Sequence, residues 1–260
     1  MRGVEIDFHV HSRASPDGLD TPERMLWAAR DAGLDAIAIT DHDRSAGYRR
    51  LIELGLADPA GLPVDGFLVI PGVEASTTAG HVLVIGASFD TPARRGGISV
   101  EQLARRARSF NRAADADPPP LLVAAHPMDR TRAGVGEEVV RVAGFDALEV
   151  FNSKTLDRSA NARAGVLARA LGLPGIGGSD AHCAAAVGRA RTVVEVEAFT
   201  VAGVLAGVRA DRTRVIEGLH THAEMAACIA RGWLMRPWIA DWLGRAAASL
   251  VGESSAEPAT

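Results

Sequence analysis

Cysteine is nearly absent from this 260-residue chain: Cys183 and Cys228 lie far apart and form no C-x-x-C pair. That argues against a disulfide framework and fits reduced thiols in a cytosol. Long apolar runs are missing too, and none reaches the length of a bilayer span. No early stretch shows the basic, apolar and small-residue order of a signal peptide. A cytoplasmic protein without a membrane partner is expected. With a net charge of −4, the chain has no global basic footprint, so no stable nucleic-acid partner is indicated. Lysine is the scarcest basic residue: Lys154 is the only one, and arginine fills the other cationic positions. A coding bias explains the arginines and makes the surviving lysine worth placing. There is no internal repeat, and no low-complexity segment before the final residues.

What is present is an ordinary globular composition, 47% hydrophobic and 23% charged, long enough to bury one sizeable core. The first apolar run, Val4 to His11, ends in His9-Val10-His11. Alternation along a strand puts both imidazoles on one face, where two nitrogen donors begin a chelate for a borderline divalent cation. Taken alone, the pair is better explained as a polar edge strand that carries no metal. Repetition changes the balance.

Further apolar runs lead into polar residues in the same way. Ala36 to Thr40 runs into Asp41-His42-Asp43, and Phe67 to Ile70 leads through Pro71-Gly72-Val73 to Glu74. His81 opens a run to Ile85, Leu121 to Ala125 runs into His126, and Ala147 to Phe151 runs into Asn152. Gly175 to Ser179 runs into Asp180-Ala181-His182, and Thr192 to Val196 is a last strand. Between them lie amphipathic stretches. The first opens with Thr21 as N-cap and Pro22 at the first helical position, and others cover about Ser99–Arg112, Asp157–Leu171 and Thr200–Arg209. Alternating strands and helices predict parallel strands with helical crossovers. Polar residues at so many strand ends favour a closed barrel, which gathers them on one rim; an open sheet would spread them along an edge.

The candidate ligands are His9, His11, Asp17, His42, Glu74, His81, His126, Asp180 and His182, which include six of the chain's 8 histidines. These are too many for one ion. Clusters of two or three metals activate a water and clamp an in-line displacement at phosphorus. Three divalent ions against Asp17, Glu74 and Asp180 leave a charge near about +3, which suits a phosphate dianion. No thiolate belongs to the set, so Mn²⁺, Fe²⁺ or Zn²⁺ fits better than a soft metal.

In order, His-x-His, Ser-x-Asp-Gly, Thr-Asp-His, Gly-x-Glu, Ala-His-Pro and Ser-Asp-Ala-His resemble the PHP (polymerase and histidinol phosphatase) domain, over roughly residues 5–217. The resemblance implies a distorted (β/α)₇ TIM-like barrel, an α/β fold, with three divalent metal ions. By analogy, His9, His11, Glu74 and Asp180 hold the first, Glu74, His81 and His126 the second, and Asp17, His42 and His182 the third, with Glu74 bridging. The implied activity is hydrolysis of phosphate mono- or diesters, with His42, His182 and Asp180 as catalytic residues. Only one helix and a proline loop fit between His81 and His126, so no nucleoside-gripping lid is expected.

For the phosphorylated substrate, Arg130, Asn152 and Lys154 lie in loops of the metal-bearing rim, and Arg132, Arg158 and Arg13 are further candidates. Asp41 and Asp43 are expected to orient imidazoles. His220-Thr221-His222 repeats His-x-His without a strand feeding it and is expected to be a decoy. The expected domains are a catalytic barrel at 1–218, a helical extension at 219–252, and a disordered tail at 253–260. The extension carries Trp233, Trp238 and Trp242, which pack on the barrel or at a homo-oligomer interface. A metal-dependent amidohydrolase or esterase and a non-catalytic metal-binding module are the rival readings.

Overall fold

The short apolar runs are strands. The structure, a computed structural model, describes residues 1–91, 97–112 and 118–221, together with Ala223, Ala226 and Ala230. The chain divides into two compact units, Met1–His220 and Thr221–Thr260, and the first holds every element named here. The expected helical extension at 219–252 and the tail at 253–260 lie almost wholly outside the described residues.

The strands are β1 (Arg2–Val10), β2 (Ala36–Ile39), β3 (Leu68–Ser76), β4 (His81–Ile85), β5 (Leu121–Ala124), β6 (Ala147–Asn152), β7 (Gly175–Gly178), β8 (Arg191–Val196) and β9 (Thr213–Ile216). The helices are α1 (Pro22–Asp31), α2 (Ala46–Glu53), α3 (Val100–Arg112), α4 (Glu137–Val142), α5 (Arg158–Leu171) and α6 (Val201–Arg209). The start of α1 follows its sequence: Pro22 opens the first turn, and the Thr21 hydroxyl accepts from the Arg24 N–H. Helices α2 and α4 are short and were not legible from periodicity.

Hydrogen bonding orders the sheet β7-β6-β5-β4-β3-β2-β1-β8-β9. Just past β7, Ala181 bridges Val10 in parallel, and its carbonyl accepts the His11 N–H at 2.8 Å. The sheet therefore curls β7 round to β1, giving a nearly closed α/β barrel with β8 and β9 continuing from β1.

Not every strand is parallel, which corrects the expectation of uniform helical crossovers. β4 runs antiparallel to both β3 and β5. The cause is connection length: residues 77–80 can turn a hairpin, whereas a parallel return needs a dozen residues or more. The consequence is functional. A reversed β4 begins on the rim where β3 ends, so His81, its first residue, arrives beside Glu74.

Burial on both strand faces explains the continuous apolar runs. On β4, Leu83 and Ile85 join one core with Val4, Ile6, Phe8 and Val204 and Leu205 of α6. The alternate residues Val82 and Val84 join a second core with Leu103 and Ala107 of α3. Both cores lie below the polar rim. Among the described residues, no helix is long and apolar enough to cross a membrane.

Candidate metal centre

Five of the sequence-derived ligands, His9, His11, His42, His81 and His126, meet on a sixth, Glu74. Its carboxylate is buried at 1% exposure, and its two oxygens face different imidazoles. Oε1 lies 3.0 Å from His81 Nδ1 and 3.1 Å from His126 Nε2. Oε2 lies 3.1 Å from His11 Nε2, 3.1 Å from His42 Nδ1 and 3.3 Å from His9 Nε2. On the far side, His182 Nε2 is 2.9 Å and His42 Nε2 3.6 Å from Asp17 Oδ2. Three subsets place their ligand atoms close enough to share an ion: His9, His11 and Asp180; His42, Glu74 and His81; and His11, Asp17, His42 and His182.

The second ring nitrogens fix how the imidazoles present themselves. Glu149 Oε1 can only accept, so His9 Nδ1, 2.9 Å away, carries a proton and Nε2 turns toward the centre. His182 Nδ1 faces the Asp180 carbonyl at 2.9 Å. His11 Nδ1 lies 3.2 Å from Ser15 Oγ, whose own proton goes to Asp41 Oδ1 at 3.1 Å, so Ser15 accepts from the imidazole. His9 and His11 then turn their Nε2 atoms toward each other at 3.0 Å, beside a carboxylate oxygen. Nitrogens so placed need positive charge among them, as a proton or as a cation. A divalent cation fits that requirement.

Two further observations agree. Asp180 Oδ1 is buried without a hydrogen-bond donor among the described residues, although it lies 3.4–3.9 Å from nitrogens of His182, His11 and His9. His126 and Asp180 also adopt left-handed backbone conformations, φ 30° and 51°, a strain that side chains other than glycine bear where a site demands it.

The electrostatics follow from burial and crowding. Burial opposes ionisation of Glu74, yet His9 and His42 with the hydrogen bonds of His11 and His126 hold its carboxyl well below the carboxylate range. Burial also opposes the charge on Asp180, but Arg132, His9 and Lys154 keep its pKa low. Burial would lower His42, and Glu74 and Asp17 instead push it up to about 9. Burial and the nearby His182 push His11 well down.

The substrate-side residues are placed differently from one another. Arg130 is exposed, and no contact ties it to the ligands. Arg132, two residues on, is the arginine that enters: its guanidinium pairs with Asp180 Oδ2 and donates to Asn152 Oδ1 at 2.8 Å. Asn152 is fully buried, and its amide is completely engaged. Nδ2 donates to Glu149 and Asp180 at 3.1 and 3.0 Å, and Oδ1 accepts from Arg132 and the Lys154 N–H. No valence remains for substrate, so Asn152 positions its neighbours. Lys154 does reach the centre, with Nζ 3.0 Å from His182 Nε2 and 3.7 Å from Asp180 Oδ1.

Glu149 was missed by sequence reading. It anchors His9, accepts the His126 N–H at 2.7 Å and binds Asn152, yet it looks like one polar residue within an apolar strand. Asp41 accepts from the Ser12 N–H and hydroxyl and from Ser15, whose oxygen faces His11, so it reaches an imidazole only through Ser15. Asp43 instead ties down the Ser76 N–H and the Thr91 hydroxyl. His220 donates its backbone N–H to Ser153, and His222 lies outside the described residues. Cys183, beside His182, is buried, and Cys228 lies outside the described residues.

Comparison with known proteins places this geometry. A 35% identical segment of 88 residues matches phosphoribosyl 1,2-cyclic phosphate 1,2-diphosphodiesterase of Eggerthella lenta, covering 34% of this chain and 32% of that enzyme. A 36% identical segment of 109 residues matches the 5'-3' exoribonuclease Rnm of Salmonella typhimurium, covering 40% of this chain and 35% of the enzyme. The chain thus aligns with about a third of each. A two-domain Bacteroides vulgatus protein containing a predicted PHP-like metal-dependent phosphoesterase shares the fold, with TM-score 0.65 and 19% identity over 88% of this chain and 70% of that one. The PHP domain profile matches residues 7–112, and the PHP-associated profile matches residues 158–213. Those two segments contain eight of the nine ligands gathered on the rim, all but His126, and the chain belongs to the PHP domain family.

Proposed function

We propose that this chain is a divalent-metal-dependent phosphoesterase that hydrolyses a small phosphate mono- or diester at a trinuclear site. The observation that carries the reading is the division of Glu74, one oxygen toward His81 and His126 and the other toward His9, His11 and His42. A carboxylate so shared is built to bridge. His9, His11, Glu74 and Asp180 would hold one cation, Glu74, His81 and His126 a second, and Asp17, His42 and His182 a third. Manganese, iron(II) and zinc all suit these donors. When bound, such ions supply an acidified water and positive charge for a phosphoryl group.

The chain's own residues do the rest. Glu149, Ser15 and the Asp180 carbonyl hold three imidazoles with Nε2 turned inward. Arg132 and Lys154 add fixed positive charge on the Asp180 side, where phosphoryl oxygens would lie. Asp17 is half exposed and His42 is 21% exposed, whereas Asp180 and Glu74 are closed off, so substrate would enter past Asp17. His42 and His182 flank that opening and would hold or give the proton at the leaving oxygen. The two relatives at 35% and 36% identity are, by name, a cyclic-phosphate diphosphodiesterase and an exoribonuclease, which supports hydrolysis at phosphorus.

The test is a parallel assay of the full chain, loaded separately with Mn²⁺, Fe²⁺ or Zn²⁺, on nitrophenyl phosphate, bis(nitrophenyl) phosphate and nitrophenyl acetate. Metal-dependent turnover of a phosphate ester above that of the acetate is expected. Faster acetate hydrolysis would move the reading to an esterase or amidohydrolase. Bound metal without turnover of any substrate would make the barrel a non-catalytic metal-binding module.

A further inference from the structure

Outside the ligand cluster, one buried carboxylate joins the two loops that deliver the site's cations. Asp129, 2% exposed, stands just before the short 3₁₀ turn Arg130–Arg132 in the loop after β5. Its Oδ1 accepts from the Thr131 N–H at 3.1 Å and the Thr131 hydroxyl at 2.6 Å. Its Oδ2 accepts from the hydroxyl of Thr155 at 2.7 Å, in the loop after β6. Thr155 directly follows Lys154. On the ligand side of this tie, Arg132 and the Lys154 N–H meet again on Asn152 Oδ1, at 2.8 and 3.0 Å.

We propose that Asp129 is a positioning residue for phosphate recognition, stapling the loop of Arg132 to the loop of Lys154 through Thr155. The proposal rests on the phosphoesterase reading above. Capping a three-residue turn requires only one carboxylate oxygen, which Thr131 already occupies. The second oxygen reaches another strand's loop, and the group it holds adjoins the chain's only lysine. Arginine and lysine side chains are long and lose considerable rotamer entropy when fixed, so recognition of phosphate by both depends on where their backbones are held. Two ties between the loops, one at Asp129–Thr155 and one at Asn152, set that separation. Small misplacements of binding groups have large effects on recognition.

Steady-state kinetics of the metal-loaded full chain on nitrophenyl phosphate, with inorganic phosphate as competing inhibitor, tests the staple. Thr155→Val removes the cross-loop donor at nearly constant shape, and Asp129→Asn weakens the acceptor. Both should raise KM and the phosphate inhibition constant by about three- to tenfold, the size of one modest hydrogen bond, with kcat and metal content little changed. Thr155→Ser restores the hydroxyl and should restore KM. Thr131→Val, which alters only the local cap, should leave KM near that of the parent. Unchanged KM in Thr155→Val with a lower Tm would reduce Asp129 to a structural cap and overturn the proposal. A joint loss of kcat and metal would also overturn it, by placing the effect at the ligands. If the unmodified chain turns over no phosphate ester, the phosphoesterase reading falls first and the staple falls with it.

Discussion

Glu74 and Lys154 show how much a single side chain decides here. Glu74 alone among the described residues contacts five of the six clustered imidazoles. Glu74→Gln keeps the volume but replaces one shared oxygen by an amide donor aimed at ring nitrogens. Expected is loss of most bound metal and of activity with secondary structure retained, checked by metal analysis and circular dichroism. Retention of the parent metal content would refute a bridging role. Lys154 is 32% exposed and lies against His182 without being a metal donor in the proposed sets. Lys154→Ala should leave metal content unchanged and raise KM for phosphate esters, at a cost of about 1.5–3 kcal/mol for a lost charged hydrogen bond. Steady-state kinetics on the best available ester reads this directly, and an unchanged KM would return Lys154 to a solvated loop cation.

At the scale of elements, irregularities place the chemistry. In β6 the pairing with β7 shifts register between Glu149 and Phe151. Regular alternation puts residues three apart on opposite faces, yet Glu149 and Asn152 hydrogen-bond to each other. The bulge resolves the conflict, and it also explains why alternation could not reveal Glu149. β1 has a comparable shift between Asp7 and Val10, where Phe8 serves the core and His9 the rim. Across from it, β7 is all but bare, Gly175-Ile176-Gly177-Gly178. A Cβ on Gly178 would lie 2.5 Å from His9 Cβ and 3.1 Å from Glu149 Oε1. Gly178→Ala should therefore push His9 off its anchor. A weaker affinity for metal and a lower Tm are expected, measured by metal titration and thermal melting. Parent-like values for both would mean that β7 can yield at no cost.

For the molecule as a whole, stability and metal binding should be linked. The rim concentrates Asp17, Glu74, Glu149 and Asp180, four carboxylates whose mutual repulsion divalent ions would relieve. Anything bound only by the folded state stabilises it, by about 2.7 kcal/mol at a hundredfold excess over Kd. Removing metal with a chelator should lower Tm by several degrees, and adding Mn²⁺ or Zn²⁺ back should restore it. The same melting curve with and without chelator would show that the ligand cluster is satisfied by protons alone.

Much of this protein was legible before any coordinates. Strand-end histidines and carboxylates are local features, and an i, i+2 spacing or a Pro-Asp-Gly turn has the same geometric meaning wherever it occurs. The residues of the ligand set, the αβ alternation and the start of α1 are of that kind. Contacts between loops were not legible, because nothing local distinguishes Arg130 from Arg132. Only the 3₁₀ turn set by Asp129 decides which of them faces Asp180. Nor could periodicity show the reversed β4, which follows from a connection too short to cross over, or Glu149, which reaches the site through a bulge. Sequence determines which groups the rim can offer, since most of them sit at or beside strand ends. Tertiary structure decides how they meet, because ring closure, register and bulges are settled by pairings between segments distant in the chain.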